Sequence, residues 1–358
     1  MFHLDDFYES IGELSVSKQT FSKARKDLSP EYVRQFFDAT ADVAAHDETM
    51  DNYQGMRLIA IDGSSVVLEN SAELKEYFGC SGFKKNSATA LISMAYGPLD
   101  HMIYDCRIDR YETDGCDLAK QHVLRLCALG LDNSLLLFDH WYPSAEFIAF
   151  LCDRGFNFVM RMSKEWSLEA EVIKTQDRIV INYGGHRYLV RVLKIILPNG
   201  EIETLLTSLN QELFSLAMAG DLYFKSWGVE NSYNVIKSKL QLDNFSGKTV
   251  VSVMQDFYAT IYLANLAAFV ASSTVTEENK SVEDLKCSCQ SNLNHKIYKL
   301  RKHFLFLIME PDPNIRDAII TYIVNSIANK PVPIVPGRYP ERKIHMKKRF
   351  PVAKKLVV

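Results

Sequence analysis

No run of apolar residues in this chain of 358 is long enough to cross a bilayer; the most apolar, Ala259 to Ser272, is short and broken by Asn265. A secretory leader is not expected either, because acidic and polar residues follow Met1 within a few positions. Paired Cys-x-x-Cys spacing is missing. The seven cysteines are odd in number, and Cys287 and Cys289 stand too close for an ordinary zinc pair. Reduced thiols in a cytoplasmic protein are therefore the expectation. There is no internal repeat and no low-complexity tract. An excess of positive charge is also lacking: the formal net charge is −3, which does not announce a nucleic-acid binder. Local distribution matters more than the sum, however.

What is present is ordinary for a soluble globular chain, with 47% hydrophobic and 24% charged residues. The length allows a large core and two or three structural units. Residues 1 to about 50 read as helical and polar, with Ser29 as an N-cap and Pro30 at the first position of a second helix. From residue 57 the pattern turns to strands. Leu58–Asp62, Thr89–Tyr96 and Met102–Ile108 form a meander, followed by a helix from about Asp114 to Leu129 that ends before Gly130. A strand to Asp139, a helix from Pro143 to Cys152 and a strand Phe156 to Met162 complete the series. Residues 165 to 210 are β-rich, and from about 250 onward the chain is mostly helical. Positive charge gathers at the end, where Arg338 to Lys355 carries eight Lys or Arg against one Glu. Such a tail suits contact with phosphates or simple solubility.

Two aspartates stand where chemistry can be built. Asp62 ends the run Leu58-Ile59-Ala60-Ile61, and Asp139 ends Leu135-Leu136-Leu137-Phe138. Short, continuously apolar runs are expected for strands buried on both faces. An acid at the C-terminal end of such a strand emerges where open α/β sheets place their sites. The alternative is plain punctuation: Asp62-Gly63 as a tight turn, Asp139 as a loop residue before the next helix. A third carboxylate comes from the segment Tyr223 to Lys237. Glu230 lies seven residues after Tyr223 and seven before Lys237, so on a helix the three share one stripe. Val229, Tyr233, Ile236 and Leu240 form a neighbouring apolar face for packing. Oxygen ligands of this kind suit magnesium or manganese.

These blocks resemble the DDE transposases of bacterial insertion sequences, specifically the insertion-sequence-four type. The first aspartate block of that group is similar to residues 58–66 here, and its second to residues 135–162, where Gly155, Phe158 and Arg161 also fall in register. Its third is a Tyr-Arg-Glu-Lys signature with two, three and six intervening residues, a spacing that Tyr223, Glu230 and Lys237 reproduce. The resemblance covers roughly residues 55 to 270. Two positions depart from it: Ser226 stands in place of the signature arginine, with Lys225 beside it, and His140-Trp141 replaces an Arg-Gly pair, although Tyr142 remains. Lys225 or His140 would have to supply the missing charge without arginine's bidentate fork.

The resemblance implies an α/β fold, a ribonuclease H-like mixed sheet flanked by helices, with a β-rich insertion and helical N- and C-terminal parts. That architecture sets its first and fourth strands side by side and would bring Asp62 and Asp139 together. The expected division is a helical DNA-end-binding or cap region at 1–50, a catalytic domain of 55–164 and 211–270, the insertion at 165–210, and a helical region with a basic tail at 271–358. The implied activity is metal-dependent cleavage of element ends and strand transfer. Asp62, Asp139 and Glu230 would hold two Mg2+ or Mn2+ ions, with Tyr223, Lys225, Trp227, Lys237 and Tyr142 toward DNA. Trp227 would stack on a displaced base or sit in the core. Partners implied are double-stranded DNA, as terminal inverted repeats and target, and a second copy of the chain on paired ends. Family members pass through a hairpin intermediate. A bacterial, nucleoid-associated cytoplasmic location follows, with no membrane. Two rivals stay open: a nuclease of the same fold without strand transfer, and a catalytically decayed DNA-binding copy.

Overall fold

A computed structural model describes residues 12–226, 247–278, 289–291, 293–328 and 331–333, with residues 5, 8, 9 and 245, and without residues 51, 83–85, 164–165, 167 and 198–199. The chain divides into two compact units, one drawn from residues 1–40, 67–74 and 236–358, the other from 41–66 and 75–235. Among the described residues no helix is long and apolar enough to cross a membrane.

The second unit is built on one mixed sheet. Its strands are β1 (Arg57–Val67), β2 (Cys80–Ser81), β3 (Ser87–Tyr96), β4 (Ile103–Arg110), β5 (Ser134–Phe138), β6 (Asn157–Arg161), β7 (Gln176–Tyr183), β8 (His186–Ile196) and β9 (Ile202–Thr207). The order runs β3-β1-β5-β6, with β4 pairing antiparallel to β3, while β1, β5 and β6 are mutually parallel. A meander followed by two parallel strands, with first and fourth as neighbours, is the ribonuclease H-like arrangement expected. The β-rich segment does not stand apart from this sheet. β9 pairs antiparallel with β6, β8 with β9 and β7 with β8, so the insertion extends the same sheet.

Two helices return the chain to the parallel strands, and both are specified locally. Helix α4 (Gly115–Ala128) starts on Asp114, whose carboxylate accepts from the Cys116 amide, and α5 (Ala145–Asp153) starts on Ser144, whose hydroxyl accepts from the Phe147 amide. Each stops the same way. Gly130 and Gly155 take φ of +71° and +72°, and the residue after each donates back into the last turn, Leu131 to Leu126 O and Phe156 to Leu151 O. Only glycine adopts that left-handed conformation without Cβ strain, so these two residues turn each helix into the next strand. β5 is buried along its whole length, and Phe138 meets Phe147 edge to face at 5.1 Å.

Helix α7 (Leu216–Ser226), preceded in chain order by α6 (Leu168–Val172), is tied to the insertion by a buried arginine. Arg191 on β8 donates to the carbonyls of Leu209 and Phe214 at 2.9 and 3.0 Å, and to Gln176 Oε1 at 3.0 Å. Those carbonyls lie in the approach to α7, so the guanidinium fixes where that helix begins.

The first unit is helical. It contains α1 (Lys18–Asp27), the first part of α2 (Pro30–His46), α8 (Val250–Glu278), α9 (Leu293–Met309) and α10 (Pro313–Ala328). As expected, α2 begins at Pro30, with the Ser29 hydroxyl accepting from the Glu31 amide. The short helix α3 (Ala72–Phe78) lies across the division between the units. Arg25 on α1 pairs with Asp256 on α8 at 2.9 Å. Gln255 beside it accepts from Arg25 Nε and donates to the carbonyls of Arg25 and Leu28. Asn265, the residue that interrupts the apolar run, donates from full burial to the Thr40 hydroxyl at 2.9 Å. A polar side chain inside an apolar helix is explained by that partner.

Candidate active site

β1 and β5 run parallel in a register that ends at Ile61 opposite Phe138. The next residues are Asp62 and Asp139. Adjacent strands lie about 4.8 Å apart, so the two acids stand as neighbours at one level of the sheet. Asp62 does not end its strand, however. β1 continues through Gly63 to Val67, so the alternative of an Asp-Gly turn is excluded. The apolar run ended at residue 62 because β5 ends there, which leaves β1 partnered differently beyond that point.

The two carboxylates are held in different ways. One oxygen of Asp62 accepts from the Gly63 amide at 2.7 Å, and its main-chain carbonyl accepts from the Ser93 hydroxyl at 3.2 Å. Asp139 is held through its side chain instead. Arg161 Nη1 reaches Asp139 Oδ1 at 2.9 Å, and His140 Nδ1 reaches Oδ2 at 3.0 Å. The other arm of Arg161 reaches Glu203 Oε2 on β9, also at 2.9 Å. Arg161 closes β6 as Asp139 follows β5, so the strands β1, β5 and β6 deliver acid, acid and guanidinium to one edge. The rule that picks Asp139 from the sequence, a charged residue closing a buried apolar run, would also have picked Arg161. Glu203 carries no such signal, since its nearness depends on β9 pairing with β6.

Asp139 opens a turn in which the Tyr142 amide donates to the Asp139 carbonyl at 3.2 Å. His140 and Trp141 form the turn's exposed corner, with ring centroids 4.9 Å apart and Trp141 81% exposed. Tyr142 points the other way. Its ring is buried at 5% exposure against Phe138 and Phe147. Burial raises the phenol's pKa well above its ordinary value, and the negative charges of Asp62 and Asp139 add to the effect. A Cβ built on Gly63 would lie 3.9 Å from the Tyr142 hydroxyl. Tyr142 is thus a protonated hydroxyl beside both acids, with its ring packed into the core.

The remaining expected residues lie largely beyond description. Tyr223 and Lys225 fall on α7, without described side chains, and Ser226 is that helix's last residue. Trp227, Glu230 and Lys237 lie outside the described residues, as does the basic tail. Among the described residues no group of three His, Cys, Asp or Glu converges to hold a metal, and Asp62 and Asp139 make two. The described cysteines, Cys80, Cys106, Cys116, Cys127 and Cys152, are free thiols.

No curated protein matches this chain. Among solved structures it is similar to a piggyBac transposase, seen by cryo-electron microscopy in a synaptic complex with hairpin DNA. The identity is 12% and the TM-score 0.47, over 96% of this chain and 74% of that one. Residues 53–266, more than half of the chain, match the transposase DDE domain, and the chain belongs to that family.

Proposed function

We propose that this protein cleaves the ends of a DNA element and transfers the freed strands, with Asp62, Asp139 and Glu230 as its acidic triad. The observation that carries the reading is the β1–β5 register, which sets Asp62 beside Asp139 inside a transposase DDE domain. The insertion-sequence-four type is supported by the spacing of Tyr223, Glu230 and Lys237 and by the order in which the β-rich segment interrupts the core.

The donor set fits a hard divalent cation. Two carboxylates at one sheet edge, with Glu230 as the third, offer the oxygens that Mg2+ or Mn2+ takes. Asp62, Asp139 and Glu230 would hold the ions, two in our reading. Bound there, the cations supply positive charge to the reacting phosphate. Asp139 already lies between the Arg161 guanidinium and the His140 ring, so the carboxylate is held in place before any ligand arrives. Arg161 is also a fork-shaped phosphate donor at the same edge. It therefore provides some of the charge lost where Ser226 and His140 depart from the signature.

In the first step a water oxygen attacks the phosphodiester at the element end, and the 3′ oxygen leaves with a proton as a hydroxyl. That hydroxyl then attacks a second phosphodiester and displaces its 3′ oxygen in turn. Lys237, Tyr223 and Lys225 would hold phosphates, and Trp227 would stack on a displaced base. Double-stranded DNA is the partner, with two copies of the chain acting on paired ends.

The test is cleavage of DNA carrying the ends of the encoding element, with Mg2+ or Mn2+ and an EDTA control. Metal-dependent nicking at those ends, lost in Glu230→Ala with folding retained, is expected. Nicking without strand transfer would replace the reading with a nuclease. Binding without cleavage would replace it with a decayed copy.

A further inference from the structure

A second polar cluster lies beneath the first aspartate, and the acidic triad makes no use of it. Ser93 on β3, Asp105 on β4 and His122 on α4 are each exposed by 1% or less. His122 Nε2 lies 2.9 Å from Ser93 Oγ, and His122 Nδ1 lies 2.8 Å from Asp105 Oδ2. Arg107 adds its guanidinium to the same Asp105 oxygen at 2.9 Å. A Ser-His-Asp order is the arrangement of an activated nucleophile. Burial rules that role out, because no substrate reaches a hydroxyl with 1% exposure.

The hydroxyl is directed elsewhere. Ser93 Oγ donates to the main-chain carbonyl of Asp62 at 3.2 Å. A serine has one proton to give, so toward His122 the same oxygen accepts. His122 therefore donates from Nε2 to Ser93, and its Nδ1 faces Asp105 Oδ2. On its other side, the peptide that Ser93 grips is held by the acid itself: the Gly63 amide donates to Asp62 Oδ1 at 2.7 Å. The carbonyl and the N–H of the Asp62–Gly63 peptide are thus both occupied. Rotating that peptide to release Ser93 would swing the N–H away from Oδ1 and turn the carboxylate.

We propose that Ser93, His122 and Asp105 are positioning residues that fix the direction of the Asp62 carboxylate through its own peptide. The functional part of this inference rests on the reading of Asp62 as a cation ligand; the structural part does not. A buried ion pair contributes little net stability compared with an apolar replacement of the same volume. Its usefulness here is in holding one peptide in one orientation. Outer partners that orient a metal ligand typically matter by about 10–100-fold in metal affinity or activity.

The experiment is Ser93→Ala in the full chain, with Ser93→Thr as the rescue, since threonine keeps the hydroxyl. Three measurements are made. Hydrogen exchange of the segment containing Gly63 reads the clamp with no reference to catalysis, and is expected to be about tenfold faster in the alanine variant. The Mg2+ concentration for half-maximal cleavage of element-end DNA should rise about tenfold, while DNA affinity stays near that of the wild type and the chain still melts cooperatively at a somewhat lower temperature, because the buried His122 Nε2–H loses its acceptor. Ser93→Thr should restore both exchange and metal dependence toward wild type. Unchanged exchange in Ser93→Ala overturns the clamp, whether or not the protein cleaves DNA. Faster exchange with unchanged Mg2+ dependence overturns the positioning role. A wild type that cleaves nothing, with faster exchange in the variant, sinks the transposase reading and leaves the clamp standing.

Discussion

Asp62 and Asp139 sit side by side on parallel strands, yet the protein holds them by opposite means. Asp62 is fixed through its backbone by a buried chain of groups that water does not reach. Asp139 is fixed through its side chain by Arg161 and His140, whose side chains are 30% and 38% exposed. The first arrangement is rigid and insensitive to salt. The second is partly exposed, so salt screens it and other charges can compete for it.

The comparison can be broken most severely at the acids themselves. Asp62→Ala or Asp139→Ala should abolish cleavage of element-end DNA while the chain still melts cooperatively; retained cleavage would remove the assignment. The next largest effect belongs to the buried side alone. Asp105→Ala strands the Arg107 guanidinium and leaves His122 Nδ1 without its buried partner, and urea unfolding should show a loss of about 3–5 kcal/mol, against at most about 1 kcal/mol for Arg161→Ala. Equal losses would show that the two surroundings do not differ as described.

Acid sharpens the same contrast. Burial by itself raises the pKa of Asp105, but the charges and hydrogen bonds of His122 and Arg107 outweigh it and hold the carboxyl below its ordinary value of 3.8. A carboxylate depressed on folding contributes stability that is full above its unfolded pKa and lost as pH falls through the folded one. Melting temperature should therefore fall as pH drops below 3.8 toward the folded pKa, and Asp105→Asn should flatten that part of the profile. A variant with an unaltered acid limb would refute the linkage. The smallest effect concerns Cys116, whose thiol lies 3.7 Å from the Tyr142 carbonyl beside the acids. Burial, with Asp114 nearby, pushes it up to about 11, so alkylation at pH 7.5 should be much slower than for a free cysteine and should accelerate toward pH 11. Rapid labelling at neutral pH would contradict the half-buried environment.

Much of the core was legible because its signals are local. The apolar runs before Asp62 and Asp139 mark strands buried on both faces, and Gly130 and Gly155 mark the helix ends that lead into β5 and β6. Ser29 and Pro30 place a helix start within a residue. What was not legible arises where distant segments meet. The continuation of β1 past Asp62 depends on partners beyond the end of β5, which no local pattern reveals. Nothing local in the sequence shows that Tyr142 is buried; its burial depends on Phe138 and Phe147 packing against it. Ser93, Asp105 and His122 each sit in otherwise unremarkable strands or helix turns.

By itself, the sequence determined the order of elements, the strand ends that carry acids and the caps that punctuate them, because each depends on side chains within a few residues. Tertiary structure alone decided that Arg161 bridges Asp139 and Glu203, and that a buried hydroxyl, imidazole and carboxylate converge on one peptide of β1. Those contacts span 17 to 42 residues, across elements whose register only the assembled sheet defines. Hydrogen bonds act over a few ångströms, so their partners exist only once the chain has brought those strands together.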